Sequence, residues 1–553
     1  MILSKIYTDG MILQRRKKNI IEGISDIKDT ISLNVCDDND KETYETVADA
    51  NGRWQIGLNE KEAGGPYVIE ISDSKTKVEI KDVYFGDVFL LGGQSNMELP
   101  VCRTLDLYEK EIANLDYPLI RMFQLPKEFK FNEPDEYLES GEWISARNGK
   151  FGDFSALGFY FAEKKFLEDN IPIGLVHAAV GGTHIEAFMS EKQIHLTGRT
   201  TKIKALKEGR NLVCQCNLND SCKMCYEKKI EANKNSSYVN SVIEDDMNNM
   251  IKWGEQLDRD DIGLNEEWFS HEWSFEEKHD AFFIDVPGSW INLVLGKVIG
   301  SVWVQTTVNV PEEWCKGKVL LRLGTIVDAD YTYVNGVLVG NTEYFYPPRR
   351  YYIPEGVLKP GKNVITVRVI VNNNVGEFKK DMPYYLKKGE ETISLEGRWA
   401  ARISAIEEPM GDAKFFTWQP TALYNKMIYP VRNISFDSIL FYQGESNSRY
   451  PEDYEYLMRD MIGEWRKFFG DIPFIFAELP DFKGETWEKD GDDWDKMRRA
   501  QKKVAESVYN TAMVKMYDLG QYNEIHPQNK KDVAERFYRE YLKLMSMQGE
   551  YND

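Results

Sequence analysis

Phe89-Leu90-Leu91-Gly92-Gly93-Gln94-Ser95-Asn96-Met97 decides how the rest of this chain is read. An apolar, strand-like run ends in a glycine pair, and a serine follows between two amides. Glycine allows the tight turn such an exit needs, and a helix starting after Ser95 would aim N–H groups at an oxyanion. The bland alternative is a serine that caps the helix behind it. A hydroxyl is a weak nucleophile until a base takes its proton, so the nucleophile reading requires a histidine elsewhere in the chain.

There are six histidines: His177, His184, His195, His271, His279 and His526. His177 lies inside an apolar run and reads as core, while His195, His271 and His279 sit in polar helical or loop contexts. His526, in Asn523-Glu524-Ile525-His526-Pro527 just before a charged amphipathic helix, is the expected base. His184, close behind the Gly181-Gly182 pair, is the runner-up and is positioned to line a pocket.

At 553 residues the chain is expected to fold as about three units. With 90 acidic against 69 basic residues the net charge is −21, which repels phosphate backbones and anionic lipid surfaces, so neither nucleic acid nor membrane is an expected partner. The N-terminus carries no basic segment followed by an apolar core. A cytoplasmic location is expected, or an extracellular one if a leader has been removed. The odd count of seven cysteines fits a reducing compartment. Cys214, Cys216, Cys222 and Cys225 are spaced to close a structural zinc site, the alternatives being a loop of free thiols or two local disulfides; a closed four-thiolate shell leaves no position for water, so no metal or other cofactor is expected in the chemistry.

Texture divides the chain into four stretches. Residues 1–81 alternate as short strands, with an expected Asn51-Gly52 hairpin turn, and read as an N-terminal β domain. Residues 82–265 show apolar strands followed by helices, the pattern of an α/β fold with a parallel sheet. Residues 266–397 are β-rich, with a hairpin at Asn335-Gly336, and read as an inserted β-sandwich. Residues 398–553 return to the α/β texture. The two α/β stretches are expected to be halves of one domain, because the serine lies in one and its base in the other.

Six short signatures in order carry a resemblance: Met11-Ile12-Leu13-Gln14-Arg15, Gly93-Gln94-Ser95-Asn96-Met97, Gly181-Gly182-Thr183-His184-Ile185-Glu186-Ala187-Phe188, Leu423-Tyr424-Asn425-Lys426-Met427-Ile428, Tyr442-Gln443-Gly444-Glu445-Ser446-Asn447 and Ile525-His526-Pro527. The chain resembles the sialate O-acetylesterase group of the SGNH hydrolases, which includes related acetyl-xylan and acetyl-xyloglucan esterases with an inserted β-sandwich. The resemblance implies an SGNH-type parallel sheet flanked by helices, an N-terminal β domain and a jelly-roll-like insertion. It implies an esterase with Ser95 as nucleophile and His526 as base.

The acid that orients the base is open. Such hydrolases commonly place Asp three residues before the histidine, where this chain has Asn523. Glu524 is the nearest carboxylate, Glu445 and Asp518 are alternatives, and a Ser–His dyad steadied by a backbone carbonyl is a fourth arrangement. Charge developing on the ester oxygen needs aimed donors; the expected ones are Ser95 N–H, an N–H of Gly181 or Gly182, and the side chain of Gln443 or Asn447. Gln94, Asn96, His184, Glu445 and Arg498 are the expected substrate contacts, Arg498 and Trp494 from a W-x-x-x-R-x-x-Q helix like that of the group. The substrate expected first is O-acetylated sialic acid, the alternative acetylated xylan or xyloglucan oligosaccharide. The rival from another class is a non-catalytic glycan-binding protein on a degenerate hydrolase core. Sequence leaves oligomeric state open.

Overall fold

The structure, a computed structural model, describes residues 1–37, 40–147, 149–198, 226–274, 277, 281–290, 297–448, 451–482 and 491–552. The four-cysteine cluster and His279 lie outside the described residues. The chain separates into two compact units, residues 1–239 with 415–553, and residues 240–414.

The decisive stretch ends the longest strand of the first unit, β1 (Lys77–Gly93), which is buried at every residue from Phe85 to Gly93. A strand covered on both faces has no use for polar alternation, which is why it reads as an unbroken apolar run. Around it lie β2 (Tyr117–Gln124), β3 (Trp143–Ala146), β4 (Ile173–Ala179), β5 (Ser438–Tyr442), β6 (Phe474–Ala477) and β7 (Thr511–Val514). Their order is β3-β2-β4-β1-β5-β6-β7, parallel throughout except for the β3–β2 pair. β1 pairs with β5 in the register Leu91↔Leu440, so the two α/β stretches share one sheet although more than 250 residues separate β4 from β5.

Successive residues of β1 feed opposite cores. Phe89 and Leu91 pack with Phe161, Phe537 and Tyr541 from helices Ala156–Asp169 and Lys530–Asn552. Leu90 joins Met461, Trp465 and Met497 from helices Tyr454–Phe469 and Gly491–Ser507. Each such side chain, fully buried, is worth about 1.5–3 kcal/mol, and together they fix which strand end faces the loops.

The N-terminal strands are not a separate body. The boundary expected between residues 81 and 82 falls inside β1, whose first half pairs with Gly64–Ser72 and Ile12–Gln14. Gln14 and Arg15 anchor the crossing: Gln14 Oε1 accepts Val88 N–H at 2.8 Å, and Arg15 forms an ion pair with buried Asp87 at 2.7 Å. The Asn51-Gly52 turn is real, with Gly52 at φ +79. It is not a hairpin, because the strand before it pairs with Thr30–Cys36 and the strand after it with Asn19–Ile24.

In the second unit, a six-stranded and a four-stranded antiparallel sheet share one apolar core. Asn335 and Gly336, at φ +49 and +84, form the expected two-residue hairpin turn. This unit begins earlier and ends later than the 266–397 expected. Asp261, at the end of helix Ser236–Asp260, accepts Arg368 Nε at 2.7 Å and Trp303 Nε1 at 2.9 Å, and strand Gly397–Ile406 lies inside the six-stranded sheet. Among the described residues no helix is long and apolar enough to cross a membrane.

Gly93 lies tight against the neighbouring strand β5. At φ +129, a Cβ there would lie 2.1 Å from Tyr442 O, so Gly93→Ala is expected to cost at least about 2 kcal/mol in urea unfolding. Gly64→Ala, where nothing lies within 4 Å, is the control and stays within about 1 kcal/mol of wild type.

Candidate active site

Four of the loops that leave the carboxyl edge of the parallel sheet carry the candidate residues: 94–96 after β1, 180–188 after β4, 443–447 after β5 and 515–530 after β7. Strand order reverses at β1, which has β4 and β2 on one side and β5 to β7 on the other. The crevice at such a switch point is where open α/β sheets bind ligands.

The glycines after Leu91 serve close approach. A Cβ on Gly92 would meet the Phe441 ring at 2.9 Å, and Gln94 N–H donates to Tyr442 O at 2.9 Å, so β1 and β5 stay locked to their last residues. Ser95 then opens the one-turn helix Ser95–Glu98, and the capping position belongs to Gln94, which makes no side-chain cap. Ser95 is half-buried. Among the described residues its hydroxyl forms no hydrogen bond, to His526 or to any other group, so it is not a cap. Such bonds are often long before substrate arrives.

Asn96, fully buried, makes the long-range connections. Its Nδ2 donates to Glu445 Oε1 at 2.7 Å and to Ile525 O at 2.9 Å, and its Oδ1 accepts Lys530 Nζ at 2.7 Å. The residue after Ser95 thereby grips the residue before His526. Lys530 has no exposed surface and sits 5.7 Å from the Tyr442 ring centre. Burial drives its pKa down to about 7, against the pull of Glu445 and Glu524. Burial likewise pushes the Glu445 carboxyl up from its ordinary value, opposed by the Asn96 hydrogen bond.

His526 and Glu524 are 8% and 7% exposed. Glu524 Oε1 accepts His526 N–H at 2.9 Å and lies 3.7 Å from Nδ1 of the ring. Of the three acids considered, Glu524 faces the imidazole, Asp518 is ion-paired with Arg536 at 2.6 Å, and Glu445 holds Asn96. His177 is core as expected: it is 1% exposed and burial pushes its pKa down to about 3. His195 pairs with Glu191 at 3.6 Å, and His271 pairs with Glu277 at 3.2 Å in the second unit.

The oxyanion donors divide. Gly181 N–H is spent on Glu98 Oε2, and Glu98 is in turn paired with Lys127. Gln443 spends both amide hydrogens, on Thr183 O at 3.1 Å and Asn447 Oδ1 at 2.7 Å. These two expectations are therefore corrected: both groups brace the loops. Asn447 gives one N–H to Glu186 Oε2 at 2.9 Å and accepts Ile185 N–H at 3.0 Å. Ser95 N–H and Gly182 N–H donate to no described residue. The loops adjoin, since a Cβ on Gly181 would lie 3.6 Å from Ser95 Cβ.

The expected substrate contacts fare similarly. Gln94, 3% exposed, accepts Ser446 N–H at 3.2 Å; with Asn96 and Glu445 it is buried and ties loops together, a correction to its expected role. Arg498 pairs with Asp495 and stacks 4.9 Å over Tyr517, and Trp494 Nε1 donates to Pro480 O at 2.7 Å, so that helix face is committed to packing. His184 remains half-buried beside the glycine pair.

Sequence reasoning missed Lys530, Glu98, Glu186 and Trp418. Lys530 looked like the first residue of a solvated helix. Trp418 Nε1 donates to Gly181 O at 2.7 Å, and a Cβ on Gly182 would strike its ring at 2.1 Å. The run Phe415-Phe416-Thr417-Trp418 was the available signal for it.

A family model described as carbohydrate esterase, sialic acid-specific acetylesterase, matches residues 85–210 and 394–543, stretches that include all four loops. The chain belongs to this family. Sialate O-acetylesterase of Mus musculus is 26% identical over 208 residues, 35% of this chain and 38% of that protein. The Homo sapiens protein of that name is 26% identical over 155 residues, 26% of this chain and 30% of its own length. The matched part thus spans well under half of these relatives. A crystal structure of a carbohydrate acetylesterase from Xanthomonas citri aligns with 97% of this chain and 73% of its own length, with a TM-score of 0.52 and 19% identity, a likeness of fold.

Asn96→Ala leaves Glu445 Oε1, Ile525 O and Lys530 Nζ buried without their shared partner, and is expected to cost at least about 3 kcal/mol in denaturant unfolding. Because the folded pKa of Lys530 lies below its ordinary value of 10.5, at about 7, the unfolded chain binds the extra proton between those values. Wild type therefore gains stability as pH rises from about 7 towards 10.5. Lys530→Met should flatten that rise when unfolding free energies are measured across the interval; parallel curves for the two proteins would contradict it.

Proposed function

We propose that this protein is a carbohydrate O-acetylesterase, a serine hydrolase of the SGNH type that releases acetate from an O-acetylated sugar. Ser95 Oγ attacks the ester carbonyl while His526 takes its proton through Nε2. Glu524, facing Nδ1, holds the ring and stabilises the imidazolium. Ser95 N–H and Gly182 N–H receive the developing oxyanion. His526 returns the proton to the departing sugar oxygen. It then takes one from water, which attacks the acetyl-enzyme, and acetate leaves with Ser95 restored.

The observation that carries this reading is the Asn96 bond to Ile525 O at 2.9 Å. It ties the residue before His526 to the residue after Ser95, whose hydroxyl is uncommitted, and a carboxylate lies 3.7 Å from Nδ1 of the imidazole. Support for the acyl group and the sugar comes from family membership and from relatives named sialate O-acetylesterase. No step needs a metal or organic cofactor.

Hydrolysis of p-nitrophenyl acetate tests it. Ser95→Ala and His526→Ala should each lower kcat by at least about a thousandfold. Glu524→Gln keeps the acceptor for His526 N–H but loses the charge, and should cost about tenfold or more. Equal rates for wild type and Ser95→Ala would end the esterase reading.

A further inference from the structure

Beside the glycine pair stands a stacked aromatic couple with one open face. Phe415 and Trp418 lie with ring centres 4.2 Å apart and planes 23° from parallel. Trp418 is fixed to Gly181 O and packs on Gly182, while Phe415 is 50% exposed. Phe416, between them in sequence, is buried against Phe129 and Phe131, which secures the turn from beneath. With the half-buried Trp418 ring stacked beside it, Phe415 extends a contiguous apolar face, the kind of surface that marks ligand-binding sites where a singly exposed ring would not.

Two cations of the first unit are paired with carboxylates. Lys127 is paired with Glu98, whose other oxygen holds Gly181 N–H. Arg498, the one cation among the expected substrate contacts, is paired with Asp495. An aromatic face carries negative quadrupole density, which repels a carboxylate and attracts the slightly positive C–H face of a pyranose. The whole chain bears −21, which works against an anionic substrate at long range.

We propose that Phe415 and Trp418 form a platform for a pyranose ring of the substrate, and that the substrate class is a neutral acetylated oligosaccharide in preference to an anionic acetylated sialic acid. This rests on the reading of Ser95 and His526 as an esterase site, and it narrows that reading to a sugar class. The platform binds the ring through its apolar face while the acetyl group reaches Ser95 past Gly182.

The test separates binding from turnover. Phe415→Ala is the chosen variant because the ring makes no hydrogen bond, and the backbone carbonyl that accepts Trp418 N–H at 3.2 Å is retained. In a Ser95→Ala background, which binds without turnover, tryptophan fluorescence is titrated with acetylated xylo-oligosaccharides and with O-acetylated N-acetylneuraminic acid. Phe415→Ala should weaken binding of the neutral oligosaccharide about five- to tenfold and leave the weaker sialic acid binding unchanged. In the catalytically intact protein the same substitution should raise KM for the oligosaccharide and leave kcat/KM for p-nitrophenyl acetate within about twofold. Unchanged oligosaccharide affinity, or tighter binding of the sialic acid, would overturn the platform. Absence of Ser95-dependent aryl acetate hydrolysis would instead overturn the esterase reading, and the titration would still decide the sugar class.

Discussion

One buried amide holds the candidate site together. Asn96 follows Ser95 on the rigid end of the central strand, and its hydrogen bonds reach Glu445 on the neighbouring strand's loop and both Ile525 and Lys530 near the C-terminus. Loop closure over more than four hundred residues is entropically expensive, and it is met here by groups whose hydrogen bonds are strong because no water competes. Asn suits the position better than Asp or Gln. It offers donors and an acceptor on one short, stiff stem, as required by a carboxylate and a carbonyl on one side and an ammonium on the other. Every chemical role assigned to His526 presupposes this clamp.

The clamp also explains the buried lysine. An ammonium with no exposed surface is tolerated because Asn96 accepts from it, the Tyr442 face lies near it, and Glu445 and Glu524 are close enough to hold its charge up. The cost shows as a pKa brought down to about 7. The loop bearing the imidazole is thus set in a polar network whose net charge changes near neutrality. The other side of the site is built differently. There Glu98, Trp418 and Ser446 fix the glycine pair through Gly181 N–H, Gly181 O and Gly182 O, and Gly182 N–H is the donor left over.

Much of this was legible in the chain. A two-sided buried strand must read as an apolar run, so Phe85–Gly93 and the strand at Ile173–Ala179 declared themselves. The Asn335-Gly336 turn followed from backbone conformation alone. What was not legible depended on distant partners. Asn96, Gln94 and Gln443 have side chains suited to substrate, and nothing local tells that their amides bond inside the fold. The 81/82 boundary failed because texture changed where β1 passes from a half-exposed sheet to a fully covered one without a break. The insertion began early because Asp261, read as part of a charged helix, is a buried anchor for Arg368.

The central claim is that Ser95 is nucleophilic because the Asn96 clamp holds His526 beside it. Active-site labelling reads this directly: the protein is treated with a fluorophosphonate ester, digested, and the modified peptide sequenced by mass spectrometry. The account predicts phosphonylation at Ser95 alone in wild type, lost in His526→Ala and strongly slowed in Asn96→Ala material that remains folded. Labelling at another residue, or labelling of Ser95 that proceeds equally well without His526, would contradict it.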